Sequence, residues 1–252
     1  MSRLHRQLMR VVSGDIVAGA IRPGDMLPRE ADLATQFSVS RGVAREAIRG
    51  LEERGLISVK HGRGATVNED VKWDLFSPEV LAVLLESDRG ADVLREYLEC
   101  RRILEIEAAG LAAERATAAD LTALADALAQ MTTSAERSRT NPAAEGFYHE
   151  ADIAFHRAVI SATGNRALGR MTEPIHRALA EARRPLARPQ YRVQRSLPEH
   201  KRILAAIADR DVDGARAAMR AHLSTVERYL NEYARAVERR ASATNADVPA
   251  SH

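Results

Sequence analysis

The sequence predicts a mainly α protein in two parts: an N-terminal winged helix-turn-helix of three helices plus a β-hairpin wing, then a C-terminal all-α antiparallel bundle of about seven helices. Three observations predict it. Strand-like alternation is confined to LISVKHGRGATV (56–67), where two short runs flank a glycine-containing tip. From Trp73 onward apolar residues recur at helical spacing and no strand signal appears. Charge is divided along the same line: residues 1–66 hold 11 Lys and Arg against 7 Asp and Glu, and residues 67–252 hold 26 against 28. A basic head on a slightly acidic body suits a nucleic-acid reader joined to a domain that does not touch nucleic acid.

Residues 3–19 place Leu4, Leu8, Val11, Val12, Ile16 and Val17 at helical spacing and stop near Gly19. IRPGDMLP (21–28) is a turn-rich connection. A short helix at about 30–37 presents Leu33, Ala34 and Phe37 on one face. SVSR then leads into a helix over 41–54, with Ser40 as N-cap, an apolar stripe of Val43, Ala47, Ile48 and Leu51, and Gly55 just past its end. Ser77-Pro78-Glu79 opens a short helix with proline in the first turn. Amphipathic segments follow at roughly 90–114, 118–137, 144–163, 165–182, 194–209 and 212–240. Thr117 and Asp120 are spaced as a capping box. Gly164-Asn165 and the stretch from Arg184 to Pro189 separate helices. The expected limits are 1–70 for the head, 71–89 for a linker with the short helix, 90–240 for the body and 241–252 for a disordered tail.

Composition removes several classes of function. Aromatics make up 4% of the chain, too few for a base-stacking platform. No apolar run is long enough to span a membrane, and the N-terminus lacks a signal-peptide core, so a cytoplasmic location is expected. The single Cys100 rules out an internal disulfide and a cysteine-based zinc site, and is expected to be a partly buried helix residue.

Two sets of residues carry chemistry. Arg41, Arg45 and Arg49 recur every four residues along the third helix, offset from its apolar stripe, and Gly42 beside Arg41 leaves room for close approach. Arginine suits both guanine edges and phosphates. At the wing tip Lys60, His61 and Arg63 alternate with Gly62 and Gly64. An isolated arginine strip equally suits a solvated outer face; the element order and the basic wing favour DNA. In the body, Asp152 and His156 are four apart on one helix, and His200 and His222 lie in two others. One carboxylate and three imidazoles make a sound ligand set for a divalent transition metal. Each histidine alone also suits a hydrogen-bonded core or surface position. Spacing leaves His149 open, seven residues before His156, whereas His176 has no acidic or histidine neighbour at i±4.

The stretch LPREADLATQFSVSRGVAREAIRGLEERGLISVKHGRGATV resembles the DNA-binding domain of GntR-family bacterial regulators, with similarity over residues 3–68. The resemblance implies operator contacts from Arg41, Arg45, Arg49, His61 and Gly62. It departs at Ala31, where the family pattern L-P-S-E-R-x-L-A carries a DNA-contacting arginine; Arg29, two residues earlier, would point elsewhere. Residues 94–230, through YLECRRILEIEAAGLAAERAT, DIAFHRAVISATGNRAL, EHKRILAAIADRD and GARAAMRAHL, resemble the FCD ligand-binding domain of the FadR subgroup. That likeness implies metal ligation by Asp152, His156, His200 and His222, with Zn2+ expected and Ni2+ or Mn2+ as alternatives. It also implies effector contacts from Arg101 and Asn165. The linker WDLFSPEVLAVLLE is similar to that of members that sense sugar acids.

The combined expectation is a homodimeric regulator, a repressor rather than an enzyme and with no catalytic set, bound to palindromic double-stranded operator DNA. One recognition helix covers too few base pairs alone, and two-fold pairing matches a palindrome. A small carboxylate such as a sugar acid or hydroxy acid is expected to bind the metal and Arg101. The competing arrangement pairs Arg101 with Glu105 at the surface. Other expectations remain: a metal-dependent hydrolase fused to a DNA-binding head, a metal-ion sensor, and an architectural DNA binder. Four protein ligands leave less room for an activated water than three, which disfavours the hydrolase.

Overall fold

The structure is a computed structural model and describes residues 3–60, 62–138, 145–183 and 189–228. Its elements run α1 (Arg3–Val17), α2 (Glu30–Gln36), α3 (Arg41–Glu53), β1 (Ile57–Lys60), β2 (Gly64–Val67), a 3-10 turn (Asp70–Lys72) and α4 (Pro78–Glu86). The helices α5 (Gly90–Arg115), α6 (Ala118–Ser138), α7 (Glu145–Ala162), α8 (Arg166–Arg183) and α9 (Pro189–Ala208) follow, and then α10 over residues 212–228. Two compact units result, Met1–Leu94 and Arg95–His252. The architecture is the expected one: a winged helix-turn-helix and a helical bundle.

In the head, α1 and α2 pack on α3, and α4 packs on α1. The core takes Leu8, Val12 and Ile16 from α1, Leu33 from α2, and Ala47 and Leu51 from α3. The α1 stripe is narrower than expected, since Leu4 and Val11 are exposed. On α3, Ala44 is fully buried beside Ala47 and Leu51, and Val43 is only half-buried. A small side chain lets α3 sit close against its neighbours. Ser40 Oγ caps α3 by accepting from Val43 N at 3.3 Å.

Gly55 follows the α3 C-cap with φ +70°. A Cβ there would collide with the Lys72 carbonyl oxygen. Gly55→Ala is therefore expected to destabilise the head by about 2–4 kcal/mol, from left-handed strain plus overpacking. A head melting point lowered by roughly 8 °C or more is the expected reading.

The wing is an antiparallel pair from Ile57↔Val67 to Lys60↔Gly64. It gains an edge from a segment whose turn-rich sequence predicts only a connection: Gly24 N donates to Val67 O, Val67 N to Asp25 O, and Leu27 N to Ala65 O, each at 2.9 Å. Proline, glycine and aspartate crowd this segment, and Met26–Leu27 supplies a single out–in alternation, too short to signal a strand. Buried Asn68 ties the wing to the α3 terminus. Its amide donates to Gly55 O and accepts from Ser58 Oγ, both at 2.8 Å.

In the body, α6 packs on α7 and α9, and α7 on α8. Leu124, Met131, Phe155, Ile203, Ile207 and Met219 form much of the fully buried core. The capping box closes reciprocally: Thr117 N donates to Asp120 Oδ2 at 2.9 Å, and Asp120 N to Thr117 Oγ1 at 3.2 Å. Arg210 adopts φ +60° and donates to Ala113 O and Ala116 O at 3.2 and 2.6 Å, closing the carboxyl end of α5. Two expectations change. Cys100 is exposed rather than partly buried. Pro189 begins α9 instead of ending a break, because proline is tolerated in a first helical turn. The tail at 241–252 lies outside the described residues. No described helix is long and apolar enough to cross a membrane.

Candidate functional site

On the head, Arg41, Arg45 and Arg49 are all exposed on α3. They are not equivalent. Arg49 Nε is engaged by Glu53 Oε1 at 3.1 Å, whereas no ion-pair partner of Arg41 or Arg45 falls among the described residues. Gly42 between them opens onto space, with only Ser40 Oγ near, at 3.8 Å, where a Cβ would lie. At the wing tip Gly62 and Gly64 have φ of +74° and +88°, and Arg63 N donates to Lys60 O at 2.9 Å. Lys60 and Arg63 are exposed there; His61 lies outside the described residues. Ala31 is exposed in the first turn of α2. Arg29 sits one step before that helix, its backbone N–H donating to Asp32 Oδ2 at 3.3 Å.

In the body, α7 supplies Asp152 and His156 one helical turn apart, α9 supplies His200 and α10 supplies His222. All four are buried, and one potential ligand atom from each lies within 4.8 Å of all the others. His200 Nε2 is 3.3 Å from His156 Nε2 and 3.2 Å from Asp152 Oδ1. The ring of Phe155 meets His200 edge-on at 4.9 Å and walls the cluster on one side.

The histidines are oriented from behind. His200 Nδ1 is 2.8 Å from Ser196 O, and His222 Nδ1 is 3.0 Å from Glu199 Oε2. His156 Nδ1 is 2.8 Å from Glu105 Oε2, although the ring N–H is turned off the direct line to that oxygen. Ser196 O and the Glu199 carboxylate accept, which puts a proton on Nδ1 of His200 and His222; at 2.8 Å from Glu105 Oε2 a bare Nδ1 of His156 would oppose two lone pairs, so there too the inward Nε2 is left with the lone pair. His222 Nε2 is buried with no hydrogen-bond partner among the described residues. Three converging lone pairs, one of them orphaned, together with a carboxylate oxygen fit a divalent transition metal. Protonation is disfavoured as well. Burial, aided by the Arg101 charge, lowers His156 to about 4 against the pull of Glu105 and Asp152. Burial and the neighbouring His200 and His156 push His222 well below its ordinary value.

Arg101 pairs with Glu105, Nε to Oε1 at 2.8 Å, and the pair is buried rather than at the surface: the two side chains are 3% and 1% exposed. Burial would raise the Glu105 carboxyl, but Arg101 and His156 beside it hold it well below the usual carboxylate range. His176 Nε2 meets the same Oε1 at 2.6 Å, so His176 stands behind the cluster instead of in it. His149 is half-buried and is not one of the four converging residues. Asn165 is not brought to the buried cluster. It is exposed, and its Oδ1 accepts from Ala167 N and Leu168 N at 3.1 and 3.2 Å, capping α8. Asn165 thus serves as a helix cap.

Two family models match the chain: bacterial regulatory proteins of the gntR family over residues 4–67, and the FCD domain over residues 96–225. The chain belongs to the GntR family. Like its GntR relatives it is a DNA-binding transcriptional regulator and not an enzyme. It is 37% identical over 221 residues to the HTH-type transcriptional regulator LutR of Bacillus subtilis, covering 85% of this chain and 95% of that protein. It is 34% identical over 220 residues to the galactonate operon transcriptional repressor of Escherichia coli, covering 86% and 92%. The fold resembles that of Lar from Listeria monocytogenes, with TM-score 0.63 and 20% identity over 92% of this chain and 98% of that one. GntR regulators bind operator DNA and usually act as dimers, and FCD domains often bind metals.

In this GntR chain the residues behind the histidines carry little sequence signal. Glu199 had a signal, standing next to His200, but Ser196 acts through its main chain and has none. Glu105 was visible only as an i+4 partner of Arg101, the pattern of any solvated helix pair.

Proposed function

We propose that this GntR regulator is a homodimeric repressor that holds a palindromic operator until a small carboxylate, a sugar acid or hydroxy acid, enters the helical body beside a divalent metal. One observation carries the reading: Nε2 of His156, His200 and His222 and a carboxylate oxygen of Asp152 converge in a buried site. These four residues would hold the ion; Zn2+ suits three nitrogens and an oxygen best, and Ni2+ or Mn2+ suits them too. A bound ion would supply a Lewis-acidic position for an effector oxygen.

Arg101 supplies the second contact. Glu105 fixes its Nε, which leaves the outer guanidinium nitrogens as a planar donor fork for a carboxylate. Because Glu105 cancels the Arg101 charge, attraction for an anion rests on the ion's own uncompensated charge. On the head, Arg41 and Arg45 read base edges, while Arg49 and the Lys60–Gly64 tip, with His61 and Gly62, meet the DNA backbone. A relative named for repressing a galactonate operon supports both the acid class and the sign of regulation. The cytoplasm is the location this function requires.

Calorimetry of galactonate and lactate against wild type, Arg101→Ala and metal-stripped protein, read beside operator release, tests the proposal. At least one acid is expected to bind and release operator, with affinity about tenfold weaker in Arg101→Ala and lost on stripping. An uncharged sugar that binds as well as its acid, or stripped protein that binds the acid undiminished, would sink it.

A further inference from the structure

We infer that Glu105 is the positioning residue of the metal centre: it sets which nitrogen of His156 faces the ion, and it ties α5 and α8, which supply no ligand, to α7, which supplies two. The inference rests on the metal reading above and adds a residue outside the four ligands.

The argument starts from what Glu105 costs. A carboxylate that is 1% exposed is expensive to bury unless its oxygens are filled. Both are in contact. Oε2 faces His156 Nδ1 at 2.8 Å, and Oε1 faces Arg101 Nε at 2.8 Å and His176 Nε2 at 2.6 Å. Arg101 supplies the compensating charge one turn back on α5. The carboxylate is therefore ionised, and an ionised carboxylate only accepts. At 2.8 Å a bare Nδ1 would set two lone pairs against each other, so His156 carries its proton on Nδ1, although off the line to Oε2, and Nε2 is left as the lone pair among the other donors.

The three backing groups differ in kind. His200 leans on a neutral main-chain carbonyl. His222 leans on Glu199, half-buried at the edge of the cluster and shared with Thr225 Oγ1 at 2.9 Å. Glu105 is an ionised acceptor sealed inside with its own counter-ion. A carboxylate behind an imidazole raises the basicity of the ligating nitrogen and fixes the ring, so its loss weakens metal binding even with all four ligands in place. Through His176 the same carboxylate reaches α8.

The test is zinc affinity of the full chain, measured by competition with a chelating dye, together with the visible spectrum of the Co2+-loaded protein. Glu105→Gln keeps the shape but exchanges one acceptor oxygen for an NH2 group, which cannot receive the surrounding N–H groups. It is expected to lose about 10- to 100-fold in zinc affinity, to still take up one ion at saturation, and to shift the Co2+ spectrum. Glu105→Asp withdraws the oxygens by one methylene while keeping the charge. It covers the case in which the amide variant does not fold, and is expected to lose at least tenfold. Ile203→Val loosens the core alone and is expected within threefold of wild type, with an unshifted spectrum, even where melting falls. Wild-type affinity and spectrum in a folded Glu105 variant overturn the inference, as does an equal loss in Ile203→Val. Wild-type protein that takes up no ion overturns the metal reading and this inference together.

Discussion

His200→Ala is expected to strip the protein of its metal and of much of the stability of the helical body. His200 is fully buried, and its Nε2 lies 3.2–3.3 Å from donor atoms of both Asp152 and His156. Its loss leaves an open ligand set and a cavity beside Phe155. Structural zinc sites contribute about 10–16 kcal/mol, so one ligand of four is worth roughly 3 kcal/mol, or more than a hundredfold in affinity. Metal analysis and melting curves with and without a chelator decide it. The chelator should lower the wild-type melting point and leave the variant unmoved. Full occupancy in the variant would remove His200 from the ligand set and return His149 or His176 to it. Acid acts in the same direction. In metal-free protein His156 sits at about 4 when folded against an ordinary 6.5, so an unfolded chain takes up a proton that the folded one refuses. Stability should fall as pH drops from about 6.5 toward 4, and the same protonation competes with the ion in loaded protein.

Arg41→Ala and Arg45→Ala are expected to abolish operator recognition while leaving the fold intact. Both side chains are exposed, and no ion-pair partner for either falls among the described residues, so their removal should change stability by no more than about 0.5 kcal/mol. Each lost base contact costs about 1–3 kcal/mol, and the double variant should lose roughly 10²–10⁴-fold in specific affinity. Arg49→Ala, already restrained by Glu53, should lower affinity for operator and scrambled duplex alike. The comparison needs one fixed salt concentration, because phosphate contacts alone make binding salt-dependent. Unchanged preference for operator in both Arg41→Ala and Arg45→Ala would place recognition on another element.

Most of the fold was legible because its signals are local. The caps at Ser40 and Thr117, the glycine after α3 and the alternation of 56–67 each act within a few residues. The edge formed by 24–27 was illegible because its pairing with β2 spans some forty residues of sequence and rests on backbone groups. At the site, the one-turn spacing of Asp152 and His156 is local, but bringing His200 and His222 to them depends on which helix faces which, and periodicity does not report that. His200 and His222 stand out by residue type, each in a different helix, and the resemblance to GntR regulators strengthens both. Arg101–Glu105 shows the limit most clearly, since a pair four apart looks the same in water or in a core until the neighbouring helices are placed. Asn165 shows the reverse, a residue whose position after Gly164 already announced a cap.

The order of the ligands along the chain has a consequence for how the regulator is made. The DNA-reading unit is complete by Leu94, but the last of the four converging residues, His222, lies about 130 residues further on. At about 5–20 residues per second, a ribosome needs on the order of ten seconds to cross that interval. During that time a nascent chain carries a finished head on a body that cannot yet close its ligand set. Closure of the four-residue set is therefore a late event in the birth of each chain, and any metal capture by it waits until then.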